Sequence, residues 1–163
     1  MMRRLKQRQR QQRSIFAMLT NHSKTGLPKK EVEFLKAYGL KKAREVVEGM
    51  PECANYYMFS EYASIDQYYS IHTIPLKWNS YSKTWYQLRK KPKDLVDLID
   101  LKRLVESLDR VNEHGGYLAA KELLNFSIVH QEAFGKEAVS DDAINSLKAA
   151  ILDHESIYGG GDE

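Results

Sequence analysis

The chain has 163 residues, 42% of them hydrophobic and 29% charged, with a formal net charge of +3. That suits one domain, or one domain with a tail, and supplies enough apolar matter for a core. A single cysteine, Cys53, excludes an intrachain disulfide, and no run approaches the ~20 apolar residues that span a bilayer, so a protein of a reducing cytoplasm is expected.

The charge is unevenly spread. The first thirty residues carry nine Lys or Arg and no acid, residues 31–91 are near balance at +2, and residues 92–163 stand at −8. Such a chain has one end that attracts polyanions and one end that repels them. The basic start lacks the long apolar run and small-residue cleavage site of a secretory signal. A transit-type presequence is also Arg-rich and acid-poor, but the glutamines and the early apolar cluster favour a working helix.

From Arg3 to about Thr20 the residues are good helix formers, without Gly or Pro. Arg3, Lys6, Arg10 and Arg13 share one face, and Arg4 and Arg8 add to the charge. Such a helix could track a phosphate backbone, attach to an acidic protein or membrane surface, or be a solvated tail. Membrane is the least favoured, because no continuous apolar face runs through the basic stretch. Ile15, Phe16 and Leu19 follow as candidate partner contacts. Asn21–Leu27 reads as a turn, and Pro28 opens a second helix to about Met50, with Gly39 as a break. Phe34, Tyr38, Gly39 and Leu40 imitate a helix-turn-helix, which would put Lys41, Lys42 and Arg44 at the start of a recognition helix. Glu45 and Glu48 weaken that match, and an ordinary amphipathic helix is the plainer reading.

Residues 52–74 are aromatic and broken. Ser64 and Gln67 suggest a short capped helix through Tyr69, and Ser82 another to about Lys91. Ten aromatics fall between Tyr56 and Tyr86, followed at once by Arg89, Lys90 and Lys91. Aromatic faces beside basic side chains bind single-stranded nucleic acid by stacking. Most of these rings are expected in the core, with Trp78, Trp85 and Tyr86 as the exceptions.

The acidic part reads as three helices. Asp94 to about His114 carries Leu95, Leu98, Leu101, Leu104, Leu108 and Val111 at helical spacing and ends at Gly115-Gly116. Tyr117 to about Phe134 is closed by Gly135, and Ser140 opens a last helix to about Tyr158. The expected fold is therefore all-α, with about six or seven helices and two helical subdomains: residues 1–27 as a basic helix and turn, 28–91, 92–158, and a tail at 159–163.

Catalysis has little support. The five histidines are scattered outside any metal-binding frame, Glu52 disfavours a Cys53 thiolate, and there is no phosphate-binding GxxxxGK[ST] loop. No metal or cofactor is expected, and the chain reads as a non-enzyme.

Three runs carry a resemblance: RQRQQRSIFAML at Arg8–Leu19, GLPKKEVEFLKAYGLKKAREVVE at Gly26–Glu48, and IPLKWNSYSKTWYQLRK within His72–Lys90. Over about the first ninety residues the chain resembles the small replication protein B of peduovirus-type temperate phages. The resemblance implies a helicase loader without its own ATPase. Such a protein captures the host replicative helicase (DnaB) in the bacterial cytoplasm and delivers it to the phage origin. The implied partners are that helicase and DNA, single-stranded or origin DNA, with no membrane. The competing expectations are a helix-turn-helix-like DNA-binding regulator and a protein-only adaptor or inhibitor of a host factor.

Overall fold

The computed structural model describes residues 28–59 and 67–159. The expected basic helix, with Arg3, Arg4, Lys6, Arg8, Arg10, Arg13, Ile15, Phe16 and Leu19, lies outside the described residues.

Pro28 precedes helix α1 (Lys29–Glu48), where its missing N–H costs nothing. Gly39 breaks the helix at φ 78°, a left-handed value open to glycine without Cβ strain. The Glu31 carboxylate is buried and accepts from the Asp97 backbone N–H at 2.6 Å, so the first turn of α1 is tied to a point sixty-six residues along the chain. At the other end of α1, Gly49 leaves room for the Tyr68 hydroxyl, which donates to the Val46 carbonyl.

The aromatic tract is β-structure. Strands β1 (Tyr56–Met58), β2 (Gln67–Ile71), β3 (Pro75–Asn79), β4 (Thr84–Gln87) and β5 (Val96–Asp97) form one antiparallel sheet in the order β4-β3-β2-β1-β5. The all-α expectation of six or seven helices is therefore incorrect: the described residues form four helices and this five-stranded sheet. The helices expected through Tyr69 and from Ser82 to Lys91 are replaced by β2 and the β3–β4 hairpin. Tyr, Trp, Thr and Ile fit a pleated, half-buried surface better than a helix, where stiff χ1 angles crowd the preceding turn. Pro75 starts a strand, a position where its missing donor is tolerated. Asn79 makes the hairpin turn, its side-chain oxygen accepting from the N–H groups of Tyr81 and Ser82. Asn55 extends the β1–β2 ladder with its side-chain amide, which both donates to and accepts from the Ile71 backbone.

Helix α2 (Leu98–Glu113) follows β5 directly, with the Asp97 side chain accepting from the Ile99 and Asp100 N–H groups. The helix begins later than the expected Asp94, because Asp94 adopts a positive φ and residues 96 and 97 pair with β1. Helices α3 (Tyr117–Phe134) and α4 (Asp141–Tyr158) complete the chain, and Ser140 caps α4 through the Ala143 N–H.

The main core joins Phe34, Leu35 and Val46 of α1, Tyr57 and Tyr68 of the sheet, Leu98, Leu101, Leu104 and Leu108 of α2, and Ile157 of α4. A second cluster, with Val111, Ala120, Leu124, Leu147, Ala150 and Ile151, joins the end of α2 to α3 and α4.

Candidate nucleic-acid interface on the sheet

Register decides which aromatics share a surface. Directly opposed residues in an antiparallel ladder point to the same face. Tyr57 opposes both Tyr68 and Val96, and all three belong to the main core. The same face takes Ser70, Leu76 and Trp78 by alternation, and Trp85 by its pairing with Trp78. The other face carries a transverse row: Asp97, Tyr56, Tyr69, Lys77 and Tyr86 are each opposite the next.

That row pairs aromatic rings with ammonium groups. Lys77 Nζ lies 5.9 Å from the Tyr69 ring centroid, and Lys91 Nζ lies 5.3 Å from that of Tyr56. Tyr69 is buried and donates its hydroxyl to Gln67 Oε1 at 2.8 Å. Burial, and then the neighbouring Tyr86, push the Tyr69 phenol above its ordinary value, so it stays a neutral donor at physiological pH. Tyr86 is exposed on edge strand β4, and Tyr81 at the hairpin tip is 85% exposed, next but one to the exposed Lys83. Arg89, Lys90 and Lys91 leave the sheet at the end of β4, all exposed. The Asp97 carboxylate at the far end of the row is occupied as the cap of α2.

Tyr86 and Lys77 are thus cross-strand neighbours on one face, Lys91 lies over Tyr56 on the same face three strands away, and Arg89 and Lys90 are exposed just past β4. Trp78 and Trp85 are not part of that surface. They form a cross-strand pair with centroids 5.2 Å apart on the core-facing side, where Trp78 packs against the main cluster. Helix α1 packs on that same side, so its bases are separated from Tyr86 by the sheet. Lys41 is exposed, Lys42 lies 3.9 Å from Glu45, and Arg44 bonds Asp109 of α2. An Arg44 held by a carboxylate is poorly placed to read a base edge.

A second titratable cluster sits where α3 meets α4. The Tyr117 hydroxyl donates to Glu155 Oε1 at 2.6 Å and accepts from Lys121 at 3.1 Å, while the His154 ring stacks on Tyr117 at 4.9 Å. Burial first, and then the bond to Glu155, hold the Tyr117 phenol above its ordinary value, so it is a joint between helices more than a proton acceptor. His154 moves the other way. Burial disfavours the imidazolium and lowers its pKa below the ordinary 6.5, against a smaller opposing pull from Glu155. The folded chain therefore binds this proton less tightly than the unfolded chain. The His154 contribution to stability is complete above about pH 6.5 and falls as pH drops through that value towards the lower folded one. His154→Gln is expected to lose less melting temperature than the parent between pH 7.5 and 5.5; parallel losses would refute the linkage.

Among the described residues no group of His, Cys, Asp and Glu is arranged to hold a metal ion, and no helix is long and apolar enough to cross a membrane. No family model, curated protein or solved structure matches the chain.

One surface was missed by the sequence reading. Leu118, Leu123, Phe126, Val129 and Phe134 of α3 are exposed. The available signal was that Tyr117–Phe134 carries only Lys121, Glu122 and Glu132 as charged side chains, too few to clothe the outward side of a surface helix.

Proposed function

We propose that this chain is a non-enzymatic accessory factor of phage-type DNA replication. It binds single-stranded DNA along the Tyr86 face of its sheet, engages the host replicative helicase and helps to load it at the phage origin, without an ATPase of its own. The observation that carries the DNA part is the exposed Tyr86 ring on the sheet face where Lys77 and Lys91 lie against tyrosines, with the exposed Arg89 and Lys90 following β4. Rings stack on any unpaired base, and the bases neutralise phosphates without reading sequence. The helicase part rests on the resemblance over about the first ninety residues and on the charge polarity, which lets one end meet DNA while the acidic helices meet a protein.

Fluorescence anisotropy with labelled oligo(dT) tests the DNA part. Tyr86→Ala is expected to weaken binding by about five-fold to a hundred-fold, from ~1–3 kcal/mol per stacked base. Replacing Arg89, Lys90 and Lys91 together by Ala should reduce the salt dependence of log K by about 2, from ~0.7 per neutralised phosphate on a single strand. Equal affinity for duplex and single strand, or indifference to both changes, removes the sheet from the reading. Pull-down against the replicative helicase tests the other part, and no complex at micromolar concentrations removes it.

A further inference from the structure

Helix α3 has two apolar sides. At about 100° per residue, Tyr117, Leu124 and Ile128 share the side that packs on α4, with Ala120 beside them. Phe126 sits on the opposite side, 64% exposed, and the other exposed large apolar residues of the helix fall within about 80° of it. A helix of a monomer normally turns charges to solvent there.

The outward side is a palindrome. Reversing the helix about Phe126 carries Leu118 onto Phe134, Ala119 onto Ala133, Leu123 onto Val129 and Glu122 onto His130. Phe126 maps onto itself. An antiparallel pair of identical helices related by a two-fold axis imposes this correspondence, because residue i then meets residue j while j meets i. We propose that α3 is the interface of a homodimer, in which two copies pack antiparallel with the axis beside Phe126.

Three features fit a second copy better than an unrelated partner. Large apolar side chains of the two copies share each level, and small side chains share a level at Ala119 and Ala133. The one carboxylate at this surface, Glu122, meets the imidazole of the other copy's His130. That ring lies 5.5 Å from Phe126 and 4.6 Å from Phe134, and its Nδ1 is buried without a hydrogen-bond partner. Antiparallel packing also sets the two helix dipoles head to tail. The five exposed apolar side chains present on the order of 600 Å² per copy, so the pair can bury at most about 1,200 Å², which overlaps the ~1,000 Å² expected of a specific interface.

The test uses the whole chain in sedimentation equilibrium, with cysteine crosslinking in a Cys53→Ser background. The expected species has twice the 18.9 kDa mass of the chain. Phe126→Asp is expected to give a folded monomer, since this ring is mostly exposed and its loss opens no core cavity. Phe126→Cys should crosslink to itself on mild oxidation. Glu122→Cys should crosslink with His130→Cys in a mixture, since both lie within about 40° of Phe126 at one level, but not with itself. A monomer at ~100 μM, about a hundred-fold above the Kd of a micromolar dimer, a dimer that survives Phe126→Asp, or Glu122→Cys joining itself as readily as His130→Cys, would each overturn the proposal. None of these outcomes depends on whether the sheet binds DNA.

Discussion

Tyr57→Ala is expected to cost about 3–5 kcal/mol of folding stability, in the range for truncating a large buried aromatic side chain. The ring has no exposed surface and belongs to the main core. It meets Phe34 of α1 edge-on at 5.8 Å and Tyr68 of β2 at 5.3 Å, and its strand position opposes Val96. Truncation leaves a void between sheet and helices that neither layer can close alone, because β1 is pinned on both sides by β2 and β5. For a domain of this size the loss corresponds to a fall in melting temperature of about 10 °C or more. Urea denaturation at neutral pH reads it directly. A loss under about 1 kcal/mol would mean that the sheet does not rest on α1 through this ring.

Asp153→Ala should be the next most damaging change, at about 2–3 kcal/mol, the range for hydrogen bonds to a charged group. The Asp153 carboxylate is buried on α4, and its Oδ2 accepts from Arg103 and from the Ser107 hydroxyl of α2, each at 2.7 Å. Removing it strands a half-buried hydroxyl and leaves a cation without its partner. Arg103 is half-exposed and lies 3.8 Å from Asp100, so it can turn to water and to that carboxylate, which keeps the cost below that of a deeply buried broken pair. Asp153→Asn, which keeps the shape and an acceptor, should lose about half as much. A double-mutant cycle with Arg103→Ala should return a coupling above about 1 kcal/mol, and additivity within about 0.3 kcal/mol would deny the pair any role.

The helices were legible because their signals are local. The leucine spacing of α2, the glycines at 115, 116 and 135, and Ser140 as a cap each act within one or two turns, and the helices end where those residues stand. The sheet was not legible, because its pairing depends on partners far along the chain. The burial of β2 does not alternate: Tyr68, Tyr69 and Ser70 are all buried, since Tyr69 is covered on the second face as well. A run buried on both sides loses the period-two pattern that marks a half-buried strand. The hairpin had a usable signal in Asn79 to Lys83, a polar turn between two aromatic runs, but the capping-like Ser82 competed with it. The same blindness to register grouped Trp78 and Trp85 with Tyr86, when one residue of offset sends them to opposite faces. The Arg44–Asp109 bond was beyond reach for the same reason, as nothing near Arg44 in the chain announces Asp109.

The main core has a consequence for how the protein is made. Phe34 and the rings of β1 and β2 share one buried cluster with α2 and with Ile157 of α4, so the aromatic layer is synthesised well before the last residues of that cluster. At ~5–20 residues per second, a nascent chain holds Phe34 uncovered for on the order of ten seconds before the last helix can arrive. The early segment is both aromatic and cationic, and its like charge opposes association between neighbouring nascent chains during that interval.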